Sequence, residues 1–512
     1  LGSGRIKSFP ENLIANPGFE NWDVPVMLPN GWYDVYPHLS DVSRSKTNIR
    51  SGRAGLKTKF GTSYTDIRQV LGENTSEVEA IYGSSGEKDP SKFVTGSGAA
   101  IAYDEDEDSP TGKGCFRYTQ GTATRLLYVS EQFDVSDLAA EGITVEGYVK
   151  SISGSGRIYM GIDCELEDGT SIPSGYCYRY GALSSTLYAD FVAGSSYCDI
   201  VPPSGAWYTS YAYIQFDIDV DGSELPLFST NKIVRIGSID TSDPNFWRVY
   251  FYSGATCTAS YSAGTAVGHS RALTGYNYCA AGGNVIGSGE WVKFRGFVTG
   301  LQDPLVEHEE TFCWRRGTVK FRVIMYLGYG GEAEVLFNDL TLRRFTNPLP
   351  DMIGETVTLG CWAYTGRSSN AVARLISFNG NVGISSYATE DEWDYLTCSR
   401  TIASDDAFLV VQLKENSNAS DSDVWWDEIT LVEGTTISQV KLTETVTMET
   451  GKTYAVRIRK ADGTSFTAAV DTEVGDTDTL TFSTPITLEN SPSEGDLLLF
   501  GEASDESVEC LV

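Results

Sequence analysis

Flat aromatic side chains are the residues of this 512-residue chain with the clearest chemical use, because a ring face matches the C–H face of a sugar while polar neighbours take its hydroxyls. The candidates are Trp32, Tyr33, Tyr36, Trp362, Tyr364, Trp393, Tyr395 and Trp426. Trp32 and Trp393 are read as core. Trp426 and Tyr364 each alternate away from aliphatic neighbours and are expected at the surface, with Tyr36 beside them. In GYCYRYG, Tyr176, Tyr178 and Tyr180 fall on one side of a strand and could form a stacking platform. Catalysis has less footing. Three histidines (His38, His269, His308) make no HExxH, and there is no G-x-S-x-G elbow, no GxxxxGK cradle and no GxGxxG after a strand. The chain is expected not to be an enzyme.

The elements that would carry these residues are strands. Gly 52, Tyr 28 and Phe 22 against Met 5, with many Thr, Ser and Val, give an all-β composition of short strands and tight turns. At roughly 150 residues per domain the length suggests about three domains. Lys+Arg 38 against Asp+Glu 69 leaves a net charge of −31, which repels nucleic acid and anionic lipid and leaves neutral glycans, cations or other protein as partners. No apolar run approaches the ~18 residues of a membrane-spanning helix, so membrane insertion is not expected. Leu1 to Ile6 resemble neither a signal peptide nor a Met start, so the chain is expected to be a portion of something longer. Its ten cysteines form no CxxC pair. Bridges Cys361–Cys398, Cys177–Cys198 and Cys257–Cys279 are conceivable, but Cys115, Cys164, Cys313 and Cys510 have no evident partner, and buried free thiols are the larger expectation.

From Asn12 the chain reads NLIANPGFENWDVPVMLPNGW, then RSGRAGLKTKF from Arg50 and YTDIRQVL from Tyr64. This order resembles the opening of a jelly roll of the carbohydrate-binding-module type. The next strand of that family is missing after Gly72 and turns up as GETVTLGCWAYTG at Gly354, followed by ARLISFNG, DEWDYLTCSRTI, DAFLVVQLKE and DVWWDEITLVEG. The expected architecture is therefore a discontinuous jelly roll, residues 12–73 plus 350–434, hosting a larger jelly-roll-like insert at 76–347. In the insert TGKGCFRYTQ echoes SGRAGLKTKF and AEVLFNDLTLRRF mirrors VWWDEITLVEG, while the stretch between about 165 and 290 reads as decorated loops and extra strands. The resemblance implies a structural Ca²⁺ where Glu20 of the first strand meets Asp427 of the last, completed by carbonyls near Ser51. In the insert the implied counterpart of Asp427 is Asp339, with a partner drawn from the Asp104–Asp108 acidic run.

From 436 to 512 the texture changes, with turns at ETGKT and ADGTS. The elements at Gly451–Thr464, Leu480–Ile486 and Pro492–Glu502 resemble a β-domain of the tail-tip attachment (host-specificity) proteins of long-tailed bacteriophages. That resemblance implies a homotrimer on the virion, assembled in the bacterial host cytoplasm among other tail-tip proteins, with the jelly rolls reaching a host-surface glycan or bracing subunits. The alternative is a glycan-binding accessory region of a secreted polysaccharide-degrading enzyme, and a third reading is a bacterial surface adhesin.

Overall fold

The computed structural model describes all residues except 1, 9–10, 16–18, 20–21, 24–27, 30, 35–41, 48, 51–54, 60–65, 74–75, 97, 120–125, 155–156, 173–175, 208, 210–211, 219–231, 274, 285–288, 302–311, 330–332, 369, 378–381, 416–422, 461–462, 494 and 504–512. It is all-β: two jelly-roll sandwiches, one inserted in the other, and a small β-unit, and among the described residues the only helical pieces are short 3₁₀ turns.

The host sandwich faces two five-stranded sheets across one core. Its first sheet runs Trp393–Thr401, Thr356–Thr365, Asp423–Glu433, Gly55–Lys59, Val42–Ser45; its second runs Val382–Ile384, Ala371–Ser377, Leu409–Glu415, Asp66–Val70, Tyr33–Asp34. Strands far apart in the chain are thus hydrogen-bonded neighbours, as in Trp425 opposite Lys57 and Val411 opposite Gln69. Inward positions such as Leu56, Ile67, Leu359, Leu375, Val411 and Leu431 fill the space between the sheets.

The guest sandwich repeats this plan with one more strand in each sheet, Glu77–Tyr82 paired to Ala333–Thr346 in the first and Phe133–Asp134 paired to Lys320–Tyr329 in the second. Its first sheet runs Ala100–Ser109, Gly112–Thr119, Ala333–Thr346, Glu141–Gly154, Trp291–Thr299, and its second runs Tyr276–Asn284, Arg157–Glu165, Lys320–Tyr329, Leu126–Val129, Phe93–Thr95. Alternation is plain on Arg157–Glu165, where Ile158, Met160, Ile162 and Cys164 enter the core and Tyr159, Asp163 and Glu165 point the other way.

Two units depart from the sequence reading. The excursion after 165 is an independent six-stranded sheet, Tyr176–Thr186, Ala266–Leu273, Ala212–Phe216, Ile233–Asp240, Trp247–Phe251, Tyr197–Ile200, with a core of its own that includes Phe191, Trp207, Ile214, Phe216 and Val249. A bridge between Leu187 and Ile200, flanked by Tyr188 N–H to Asp199 O at 2.9 Å, brings its first and last strands together. We call it the inner barrel. The C-terminal unit is a closed barrel, Gly2–Ser8, Thr436–Met448, Gly475–Thr487, Ser465–Val470, Tyr454–Arg459, Leu497–Glu502, so the first residues of the chain complete the last. Each insertion leaves through a place where the flanking chain ends are already close: Gly2–Ser8 pairs with Thr436–Met448, Gly72 lies against Thr346 and Pro348, and Arg157–Glu165 pairs with Tyr276–Asn284.

Between the sandwiches, the outer side of the host's second sheet packs on the outer side of the guest's first. Tyr33, Val70, Phe408 and Val410 meet Phe297, Phe312, Cys313 and Phe345. Beside this apolar seam Arg295 bridges Glu73 and Glu146, Lys293 Nζ lies 3.2 Å from Glu146, and Thr144 donates to Glu73 at 3.0 Å. Burial raises the pKa of both carboxyls; for Glu146 the surrounding Lys293, Arg295 and Arg343 outweigh it and bring the value to about 2. For Glu73 burial outweighs Arg295 and the Thr144 hydroxyl, and its pKa stays above the usual range. The eight cysteines with described side chains are buried free thiols, including Cys361 and Cys398, while Cys177 and Cys510 fall outside the described side chains.

Candidate functional site

The last strand of each sandwich carries a β-bulge. In the host Gly360 pairs with Thr430 and Trp362 with Asp427, so the single residue Cys361 faces both Glu428 and Ile429. In the guest Glu146 pairs with Thr341 and Tyr148 with Asn338, so Gly147 faces Asp339 and Leu340. Glu428 and Asp339 both take left-handed backbone, φ +52° and +45°. The extra residue flips the alternation: Trp426 joins Ile429 and Leu431 in the core instead of opposing them. Trp426, expected at the surface, is fully buried, and its indole N–H donates to Thr58 at 3.1 Å. Its neighbour Trp425 takes the outer position.

Superposing the two bulges also corrects the acid pair: Asp427 corresponds to Asn338, not to Asp339. Asp427 is fully buried, accepting from the Arg50 amide at 2.8 Å and the Glu428 amide at 2.9 Å. Glu20 and Ser51, the other members of the implied cation site, lie outside the described residues, as does Tyr36. A buried acceptor-only carboxylate suits a hard cation. At the guest position the amide Nδ2 of Asn338 donates to Thr111 at 2.8 Å, and its Oδ1 accepts the Ser84 amide at 3.0 Å. The guest therefore holds a neutral amide where the host holds a carboxylate, which makes it the weaker position for a cation. Asp339 is held by the Ser85 amide at 3.1 Å and the Ser85 hydroxyl at 2.6 Å, and Asp104 of the acidic run is drawn to Arg117 at 3.3 Å. Among the described residues no group of three or more His, Cys, Asp or Glu could hold a metal ion.

Two aromatic faces remain open at the ends of the sandwich stack. On the host's first sheet Trp393, Tyr364, Trp425 and Lys57 form one cross-strand row, with centroids 5.8 Å between Tyr364 and Trp393, 5.4 Å between Tyr364 and Trp425, and Lys57 Nζ 5.2 Å from Trp425. The next row pairs Trp362 with Tyr395 at 5.2 Å, and the Arg50 guanidinium covers Trp362 at 4.3 Å. The Tyr395 hydroxyl rests over Gly360, where any Cβ would come within 1.8 Å of it. Tyr395 also packs against Val432, Ile437 and Leu488, which joins this end of the strip to the closed barrel. Tyr364 therefore lies on an aromatic face, half-buried, while Trp393, read as core, is half-buried beside it.

On the guest's second sheet, Tyr128, Tyr276, Tyr278, Tyr159 and Tyr326 form a continuous patch of half-buried rings, with successive centroids 6.4, 6.2, 5.0 and 6.5 Å apart. The Tyr128 and Tyr276 hydroxyls meet at 2.7 Å. The strand bearing Tyr276 and Tyr278 can lie so close only because residue 161 is glycine; a Cβ there would fall 1.9 Å from the Asn277 carbonyl oxygen. Next to the rings are two carboxyls. Glu165 is fully buried and held by Arg322 and Gln132. Asp163, 2% exposed, accepts the Ser171 hydroxyl at 2.7 Å; burial first, and then the charge of Glu165, push its pKa up to about 7. Glu165 is closed off by its partners, so the pair does not offer two carboxyls to one substrate. It stiffens a platform of rings and hydroxyls suited to stacking and hydrogen bonding. None of these five tyrosines was singled out from the sequence, although Tyr276 and Tyr278 alternate as strand partners should. Tyr176, Tyr178 and Tyr180 lie on the first strand of the inner barrel, paired to Ala266–Leu273; their side chains fall outside those described.

No family model matches the chain, and no curated protein matches it. Among solved structures it is similar to the N-terminal CBM22-1-CBM22-2 tandem domain from Paenibacillus barcinonensis Xyn10C, with 9% identity over 70% of this chain and 98% of that one, and a TM-score of 0.23. An overlay that loose carries no argument about ligand.

Proposed function

We propose that this chain is a non-catalytic adhesion segment that contacts a neutral surface glycan through the tyrosine face of the guest sandwich. The observation that supports this most is the five-ring patch of half-buried tyrosines on the outer side of the guest's second sheet, braced by Asp163, Glu165 and Arg322. Sugars bind rigid ring faces without needing a deep pocket, and the net charge of −31 favours an uncharged polymer over a polyanion. The resemblance of residues 451–502 to bacteriophage tail-tip proteins supports a setting at the tip of a phage tail: the closed barrel belongs to the tip scaffold beside other tail-tip proteins, the assembly is a homotrimer, and the particle is built in the bacterial cytoplasm. In this reading 12–73 plus 350–434, 76–347 and 436–512 are separate functional units, and Ca²⁺ at Asp427, with Glu20 and Ser51, serves the host sandwich alone.

Affinity electrophoresis of the whole chain through gels containing soluble mannan, galactan or β-glucan tests the glycan reading. The double variant Tyr159→Ala/Tyr278→Ala should lose about tenfold in affinity for the polymer that retards the wild type, since each stacked ring contributes ~0.5–1.5 kcal/mol. Unchanged retardation of a variant with wild-type thermal midpoint would overturn it.

A further inference from the structure

The inner barrel carries an aromatic surface of a different build. On the outer side of Tyr197–Ile200, Trp247–Phe251 and Ile233–Asp240, side chains line up in cross-strand rows: Tyr197, Tyr250 and Ser238 in one, Asp199, Arg248 and Asp240 in the next. Tyr188, Tyr197, Tyr250 and Tyr252 are 49%, 39%, 37% and 49% exposed, unusually high for rings of this size in a folded unit.

Three of these rings are backed by a planar partner. Tyr188 stacks on Phe246 with centroids 5.3 Å apart and planes at 30°, Arg248 lies 4.3 Å over Tyr197, and Arg235 lies 4.0 Å over Tyr252. Backing fixes a ring's orientation, so little side-chain freedom is lost when something stacks on its other face. Between the rings, Arg248 makes a two-pronged bond to Asp199, Nε to Oδ1 at 2.7 Å and Nη2 to Oδ2 at 2.9 Å, and Asp240 stands opposite on the next strand.

We propose that this face of the inner barrel is a second glycan-binding site, separate from the tyrosine face of the guest sandwich, that takes a neutral saccharide chain with vicinal hydroxyls. The rings supply stacking for the sugar C–H faces, and the Asp199–Arg248–Asp240 row supplies charged acceptors beside a guanidinium whose remaining N–H groups can take neighbouring hydroxyls. The same row argues against a protein partner, because the centres of protein interfaces are depleted of charged side chains. It argues against a polyanion too, since Arg248 sits between two carboxylates and the chain carries −31 overall.

The test uses the whole chain in the gels described above, with each polysaccharide offered before and after periodate oxidation, which cleaves vicinal diols. A chain already carrying Tyr159→Ala/Tyr278→Ala should keep part of its retardation, and adding Tyr188→Ala/Tyr250→Ala should weaken that remainder about tenfold. Oxidised polymer should retard neither. Arg248→Lys, which keeps the charge and removes the fork, should weaken binding at an unchanged thermal midpoint, which separates recognition from folding should the double variant lose its structure. The inference is overturned if the guest-face pair alone abolishes all retardation, if barrel variants of wild-type stability bind unchanged, if the retardation left in the Tyr159→Ala/Tyr278→Ala chain survives periodate, or if no polymer retards the wild type. Loss at the barrel with no loss at the guest face would instead leave this site standing and remove the guest-face reading.

Discussion

In the host sandwich the bulged last strand reads Trp426-Asp427-Glu428; in the guest it reads Phe337-Asn338-Asp339, with the third residue of each in left-handed backbone. One plan, two settings. The host buries a carboxylate where the guest buries a neutral amide whose nitrogen is given to Thr111. The outer faces differ as sharply. The host's second sheet packs on the guest through Tyr33, Val70, Phe408 and Val410, whereas the guest's second sheet carries half-buried tyrosines on its outer side. Nesting decides which copy of a repeated sheet is left to meet a ligand.

The largest expected effect tests the phase of the bulge. Trp426→Ala should destabilise the host by about 3–5 kcal/mol through lost burial and the cavity left behind, while Trp425→Ala, on the outer face, should cost about 1 kcal/mol. Urea midpoints followed by tryptophan emission check it, and equal losses would put both indoles on one footing and sink the bulge argument.

The second prediction separates the open faces by pH. Asp163 has its pKa raised from 3.8 to about 7 by burial, so ionising it costs the folded state. Its contribution is fully present below about pH 4 and is lost as pH rises towards 7. Asp163→Asn should therefore gain on the order of 2 kcal/mol over the wild type at pH 8 and nothing comparable at pH 4, read from thermal midpoints across that range. Parallel pH profiles for the two proteins would contradict it.

Calcium sharpens the contrast between Asp427 and Asn338. EGTA should lower the wild-type midpoint by the equivalent of about 2 kcal/mol, with no EGTA response left in Asp427→Asn. A response that persists in Asp427→Asn would move the ion elsewhere. The smallest effect concerns the strained residues themselves. Glu428→Gly should stabilise by about 0.5–1 kcal/mol by relieving left-handed backbone. Asp339→Gly should show a net loss in the same denaturation assay, because its carboxylate holds Ser84 and Ser85.

Much of this architecture is legible in the sequence because strand-forming phrases recur: SGRAGLKTKF and TGKGCFRYTQ, WWDEITL and FNDLTL. The interrupted order of strands from Asn12 and from Gly354 reads as a host with a guest once it is set against the strand order of the jelly-roll family it resembles. What the sequence hides is set by single residues and by context. WWDEITL alternates cleanly on paper, and nothing in it announces that Glu428 will adopt φ +52° and turn Trp426 inward. GSGRIKS offers one strong apolar residue, Ile6, so its place in the closing barrel comes from pairing with Thr436–Met448 and Leu497–Glu502 rather than from its own pattern. The inner barrel is built of four- to eleven-residue strands divided by long polar turns, too short for periodicity to separate them from loops. The tyrosine patch gathers residues from positions 128, 159, 276, 278 and 326, which only the fold brings together.

Hydrogen–deuterium exchange of the whole chain, with and without the polysaccharide that retards it most, tests the division of labour between the two sandwiches most directly. The account predicts slower exchange on binding in Arg157–Glu165 and Tyr276–Asn284, with Asp66–Val70 and Leu409–Glu415 of the host unchanged because the guest already packs on Val70 and Val410. Protection confined to the host strands Thr356–Thr365 and Trp393–Thr401, with none in the guest's second sheet, would contradict it.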